Sequence, residues 1–220
     1  MKTVLAFIAT LTALVTFAGV TTVRAAGPPP SYTLQFLGEG TVVAINNVNT
    51  VAGMRTNPTN WGKTPLVSVG GAAWTPLPLP AGATGGFPTA LNDSGTIVGV
   101  ADMASGRRAI RWQLGSGGYV VEVLPLLPGE AASYATGINN HGQIVGARAG
   151  ILGTPYGFGW LFSDADGMVS LNAKYGWFAT PNDINDHGVI LSETQTFDLA
   201  TMTVTDVGLS GPAHMHIPKD

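Results

Sequence analysis

Few residues of this chain have the type and spacing to do chemistry, and the richest group sits in one loop-like stretch, Arg55-Thr56-Asn57-Pro58-Thr59-Asn60-Trp61-Gly62-Lys63. An indole beside amides and cations can stack on a sugar ring or peptide plane while its neighbours hydrogen-bond the edge, so Arg55, Asn60, Trp61 and Lys63 predict ligand binding. Arg107 and Tyr156 stand in corresponding loops further along and join the expected site. His141 and His187 suggest a metal, but a zinc centre needs three or four converging ligands and turn tips on neighbouring units diverge. His214 and His216 would face one way in an extended tail, again too few to close a site. Asp164-Ala165-Asp166-Gly167 has part of a calcium-loop spacing, yet Phe162 and Ala173 fall at the first and last ligand positions, so a hairpin turn is expected. No metal and no cofactor are therefore predicted.

Catalytic residues are not predicted either. The chain has no cysteine and no Gly-x-Ser-x-Gly elbow, which removes the usual nucleophiles. Glu122, Glu130, Glu193 and the aspartates could serve a polysaccharide hydrolase or lyase only if the fold aimed carboxylates into a common channel.

The elements that must position these residues are repeated. Four phrases recur, at 44–53, 90–99, 137–146 and 183–192, with common asparagines at Asn46, Asn92, Asn139 and Asn185. Each runs apolar, then Asn-Asn/Asp-x-Gly, then apolar, which predicts two antiparallel strands joined by a tight hairpin. Gly95, Gly142 and Gly188 must take positive φ, and Asn49, standing in their place in the first phrase, is the residue that best tolerates it. Third strands are expected at 72–74, 109–112, 158–161 and 196–199, and fourth strands at 75–79, 120–124, 168–171 and 203–207. Trp74, Trp112 and Trp160 are read as one repeated core position, and Tyr175-Gly176-Trp177-Phe178 as a packing cluster. No window keeps a helical period. Four-stranded units of about 46 residues match propeller blades, so the expected class is all-β, a propeller-like domain of four repeats. Tyr32 to Gly38 resembles a further outer strand that would dock on the last unit; with it there are five outer strands for four units, so the ring carries an extra strand, is open, or is joined to a second copy.

Lys2, the apolar run Val4 to Val20 and the small residues at Val23-Arg24-Ala25 predict a signal peptide over residues 1–25, the rival reading of the same run being an uncleaved amino-terminal anchor. A proline-rich linker at 26–31, the repeat domain at 32–209 and a tail at 210–220 complete the division. Removing Lys2 and Arg24 leaves eight basic residues against 13 acidic, a net charge of about −5 that offers nucleic acid no footprint. Without cysteine an exported protein has no disulfides, and packing must hold it. Thirty glycines and 15 prolines beside patterned apolar residues describe a turn-dense β protein rather than a disordered one.

The run from Val123 to Gly146, with Leu-Pro-Gly at 127–129 ahead of Gly-Ile-Asn-Asn-His-Gly-Gln-Ile-Val-Gly, resembles the HAF-repeat family of extracellular proteins. The likeness covers roughly residues 32 to 209. Its name-giving His-Ala-Phe-x-Trp element is altered: Arg108 to Trp112 keeps the alanine and tryptophan, Tyr156 to Trp160 the phenylalanine and tryptophan. The resemblance implies an exported β-repeat protein and supplies no catalytic residues.

These readings converge on an exported, non-catalytic module that binds a glycan, peptide or protein partner, without nucleic acid and without membrane contact once the signal is removed. The alternatives are the channel-carboxylate hydrolase or lyase and a structural envelope protein that self-associates through an open edge.

Overall fold

The computed structural model describes residues 36–59, 61–148 and 159–207; the expected signal peptide, linker and tail lie outside them. Within them the repeated turn forms as its chemistry demands. Asn49, Gly95, Gly142 and Gly188 take φ of 61°, 83°, 76° and 77°. Each repeated asparagine closes its own turn by accepting backbone N–H groups: Asn46 Oδ1 from Val48 and Thr50 at 3.2 and 2.7 Å, and Asn139 Oδ1 from His141 and Gln143 at 3.1 and 3.0 Å. Such side-chain bonding is why asparagine starts a turn rather than continuing a strand.

Each repeat makes one four-stranded antiparallel sheet whose strands follow chain order. The first holds β1 (Thr41–Ile45), β2 (Thr50–Thr56), β3 (Lys63–Val69) and β4 (Thr75–Pro76); the second, β5 (Ala83–Leu91), β6 (Ile97–Met103), β7 (Gly106–Gly115) and β8 (Gly118–Val123). The third holds β9 (Ser133–Ile138), β10 (Ile144–Arg148), β11 (Gly159–Ser163) and β12 (Gly167–Ser170), and a short helix, α1 (Leu171–Tyr175), follows it. The fourth is β13 (Asp183–Ile184), β14 (Val189–Leu191), β15 (Gln195–Asp198) and β16 (Thr203–Asp206). The protein is all-β, as its turn density predicts.

The first strand of each later sheet lies across the sheet before it: β5 packs on β1, β2 and β3, β9 on β5, β6 and β7, and β13 on β9 and β10. Three apolar clusters fill the three seams. One gathers Leu91, Ile97, Ile110 and Trp112, the next Ile138, Ile144, Trp160 and Phe162, the last Leu171, Trp177, Ile184, Ile190 and Phe197. Burying each large apolar side chain contributes roughly 1.5–3 kcal/mol, so the seams are the main source of stability.

A glycine in the second strand sets how closely the first can approach. The pairing skips Val43, Thr89 and Thr136, each a bulge in its first strand. Opposite the bulges stand Gly53, Gly99 and Gly146, where a Cβ would lie 2.5, 2.2 and 2.2 Å from the carbonyl oxygens of Thr41, Phe87 and Tyr134. No other residue fits there.

Four expectations need correction. The third strand of the first repeat is Lys63–Val69, not 72–74; Pro65 within it discourages a strand assignment, but its carbonyl still accepts from Leu77 at 2.9 Å. The tryptophans do not share one repeat position: Trp112 lies opposite Ile97, Trp160 opposite Gly146, and Trp74 precedes β4. Facing the residue five after each repeated asparagine are instead Ser68, Trp112, Phe162 and Phe197. Trp160 and Phe162, two apart on one strand, share a face, which is how the alignment slips. Trp112 and Trp160 are fully buried, whereas half-buried Trp74 covers Gly40 and Gly53. A helix exists where none was expected, because Ser170 caps Ala173 N–H and Gly176 closes the turn at φ 71°. Finally, the described end of the expected outer strand, 36–38, is not strand, and Leu37 accepts from Trp74 N–H in the first repeat rather than reaching the last; residues 32–35 lie outside the described residues.

Candidate functional site

The loop between β2 and β3 is held by its own hydrogen bonds. Asn57 N–H donates to Gly62 O at 2.8 Å, Trp61 N–H to Asn57 O at 2.9 Å, and Thr59 N–H to Asn57 Oδ1 at 2.8 Å. This places Trp61 at φ 58° with 77 % of its surface exposed. A non-glycine residue in that region costs about 1–2 kcal/mol, and an exposed indole recovers nothing by packing.

The other predicted residues distribute unevenly around it. Lys63 Nζ lies 4.1 Å from the centre of the Phe87 ring, a cation–π contact that fixes the ammonium on the second sheet. Arg55 donates through Nε and Nη2 to Glu39 O, both at 3.3 Å. Arg107 pairs with Asp102 at 3.0 Å on its own hairpin and stays exposed. A Cβ at Gly85 would lie 3.2 Å from Lys63 O and 3.7 Å from Asp102 Oδ2, so the structure brings Lys63 beside the hairpin that carries Arg107. Asn60, Tyr156, His214 and His216 lie outside the described residues.

A second feature was not found by sequence reasoning. A cleft of about 540 Å³ opens between the four first strands, lined by Val43, Thr89, Thr136 and Asn182, each three residues before a repeated asparagine, together with Asn47, Asp93 and Asp183. Thr136 Oγ1 donates to Pro181 O at 3.0 Å, and Thr89 Oγ1 to Val98 O at 3.2 Å. The available signal was the polar residue recurring at that offset in three of the four phrases.

At the turn end the repeats are tied directly to each other. Asn46 Nδ2 donates to Asn92 O at 2.9 Å, Asn92 Nδ2 to Asn139 O at 3.1 Å, and Asn139 Nδ2 to Asn185 O at 3.0 Å. The next residue repeats the device: Asn47 N–H donates to Asp93 Oδ1 at 2.9 Å, Asp93 N–H to Asn140 Oδ1 at 2.8 Å, and Asn140 N–H to Asp186 Oδ1 at 2.7 Å. Asparagine and aspartate alternate, so every carboxylate meets amide hydrogens rather than another carboxylate; Asn140 Nδ2 reaches Asp93 and Asp186 at 3.1 and 2.8 Å.

Of the carboxylates named for channel chemistry, the aspartates Asp93 and Asp183 line the cleft and the three glutamates do not. Glu122 bonds Arg111 at 2.6 Å, Glu130 bonds Arg148 at 3.2 Å, and Glu193 is exposed. Arg111 also crosses to the third sheet, reaching Asp164 at 2.7 Å, and its hydrogen bond holds the Asp164 carboxyl below its ordinary value. Asp164 lies in a hairpin turn, with Gly167 at φ 69°. His141 and His187 are exposed turn tips, and among the described residues no group of three potential metal ligands converges. No helix among the described residues is long and apolar enough to cross a membrane. In the packing cluster Trp177 stacks on Phe197 with centroids 5.4 Å apart, while Phe178 is 68 % exposed. No family model and no curated protein matches the chain.

Proposed function

We propose that this chain is an exported, HAF-repeat-like domain of the β-propeller type, a non-catalytic module that binds a glycan, peptide or protein partner through the loop end carrying Trp61. The observation that carries the reading is the exposed indole on a hydrogen-bonded loop, with its backbone at φ 58°. Strain kept in a side chain that contributes no packing is what a preorganised contact residue requires. Lys63, two residues after Trp61, and Arg107, on the hairpin beside Lys63, are the cations this end offers a ligand. The propeller reading is supported by first strands that run side by side around a cleft while each sheet lies against the next. Export rests on the leader at residues 1–25.

The test is a glycan and peptide array probed with the mature domain and with Trp61→Ala. Hits that vanish in the variant establish the module and name its ligand class. Hits that survive the substitution would remove Trp61 from the site.

A further inference from the structure

We propose that the open side of the first sheet is a docking face for the last repeat of a second copy of this chain. The inference is independent of the Trp61 reading.

Position within the repeat makes the argument. The residue just before each repeated asparagine is Ile45, Leu91, Ile138 or Ile184. Leu91, Ile138 and Ile184 are 3 %, 0 % and 0 % exposed because each packs on the preceding sheet, whereas Ile45 is 66 % exposed. Val42, two register positions away on the same face, is 56 % exposed, whereas its counterparts Pro88, Ala135 and Pro181 are buried. The first sheet therefore presents an apolar face whose three counterparts are all covered, and all by the same kind of object, the preceding repeat.

The hydrogen-bonded ladder identifies what fits there. At every internal seam the earlier repeat gives an asparagine Nδ2 and a backbone N–H, and the later one receives them on a carbonyl and an Asx Oδ1. Among the described residues, Asn185 Nδ2 and Asp186 N–H meet no acceptor, and Asn47 Oδ1 meets no donor. The two ends of the ladder are thus complementary: donors at the fourth repeat, acceptors at the first. The alternation agrees as well, since Asn47 Nδ2 bonds only Asp93, at 3.0 Å, where Asn140 Nδ2 bridges two carboxylates. Seating the partner's Asp186 beside Asn47 continues the order without placing two carboxylates together. Such a junction joins unlike surfaces, head to tail, and two copies can close it twice around one axis.

The absence of cysteine makes the test clean. Val48→Cys and His187→Cys, both at exposed turn tips, are prepared as separate mature proteins, mixed, and treated with a short bis-maleimide. The expected result is a linked heterodimer at least about tenfold more abundant than either homodimer, lost when Ile45→Asp is added to the first protein. Because Ile45 is exposed, that substitution leaves the monomer folded, as a thermal melt will verify. Sedimentation of the unmodified protein should show a concentration-dependent dimer that Ile45→Asp weakens by the same factor. A third protein carries both cysteines in one chain. A protein monomeric at every concentration, linkage of that third protein confined to single chains, or linkage indifferent to Ile45→Asp would each overturn the proposal; the second would mean that the chain closes on itself.

Discussion

At the turn end of the first sheet Asn46 uses both polar atoms of its side chain, closing its own loop and bonding the next repeat, whereas at the opposite end Trp61 holds its ring in solvent on an unfavourable backbone. The two residues are separated by only a strand and part of a loop. The turn end is uniform because its bonds run between repeats: an amide in one turn is useful only if the next turn presents a carbonyl at the same height. The loop end carries no such requirement, so its length and side chains are free to differ and a binding residue there costs the neighbouring repeats nothing.

This contrast is broken most severely at the centre of the ladder. Asn139 is fully buried and bonds His141, Gln143 and Asn185; Asn139→Ala should cost about 3 kcal/mol, because two part-buried backbone N–H groups lose their acceptor and Asn185 O its donor together. Chemical denaturation reads this directly. A loss under about 1 kcal/mol would mean that the apolar seams alone hold the repeats together.

A smaller effect is expected where the second and third sheets meet through charge. The Asp164 carboxyl is held below its ordinary value by the hydrogen bond from Arg111. A depressed folded-state pKa contributes stability present above the unfolded value, near 4, and lost as pH falls through the folded one. Asp164→Asn should therefore be slightly less stable than the parent near pH 7, with the difference closing as pH falls below the ordinary carboxylate range and damped throughout because Asp164 faces solvent. Melting temperatures across that range check the sign; a gap that widens in acid would contradict it.

The smallest change in stability belongs to the loop. Trp61→Gly retains the positive φ without a Cβ, so relief of strain offsets the greater entropy of the unfolded chain, and stability should stay within about 1 kcal/mol of the parent. A loss above about 2 kcal/mol would make the indole a structural residue and erase the difference between the two ends.

The turns were legible because their causes are local. Asn49 could be assigned a positive φ from one substitution in an otherwise glycine position, and its φ of 61° agrees. The strands on either side follow from the same hairpin. Less legible was the first repeat's third strand, since Pro65 argues against a strand unless one knows that its missing N–H is not needed there. The short helix after Ser170 was too brief for periodicity to reveal, and only its caps mark it. Of the expected ligand-binding group, Trp61 was recognisable as an aromatic in a long loop, but nothing local told that Lys63 would lie over Phe87 on the next sheet.

The repeated asparagines and glycines determine by themselves where the repeated hairpins turn and which two strands pair across each, because each turn is decided within about five residues by side-chain bonding and allowed φ. Tertiary structure alone decided that Ile138 is buried and Ile45 is not, although both stand just before the same asparagine. Burial is set by whether another sheet lies alongside, and that sheet comes from the preceding repeat or, for the first one, from outside it.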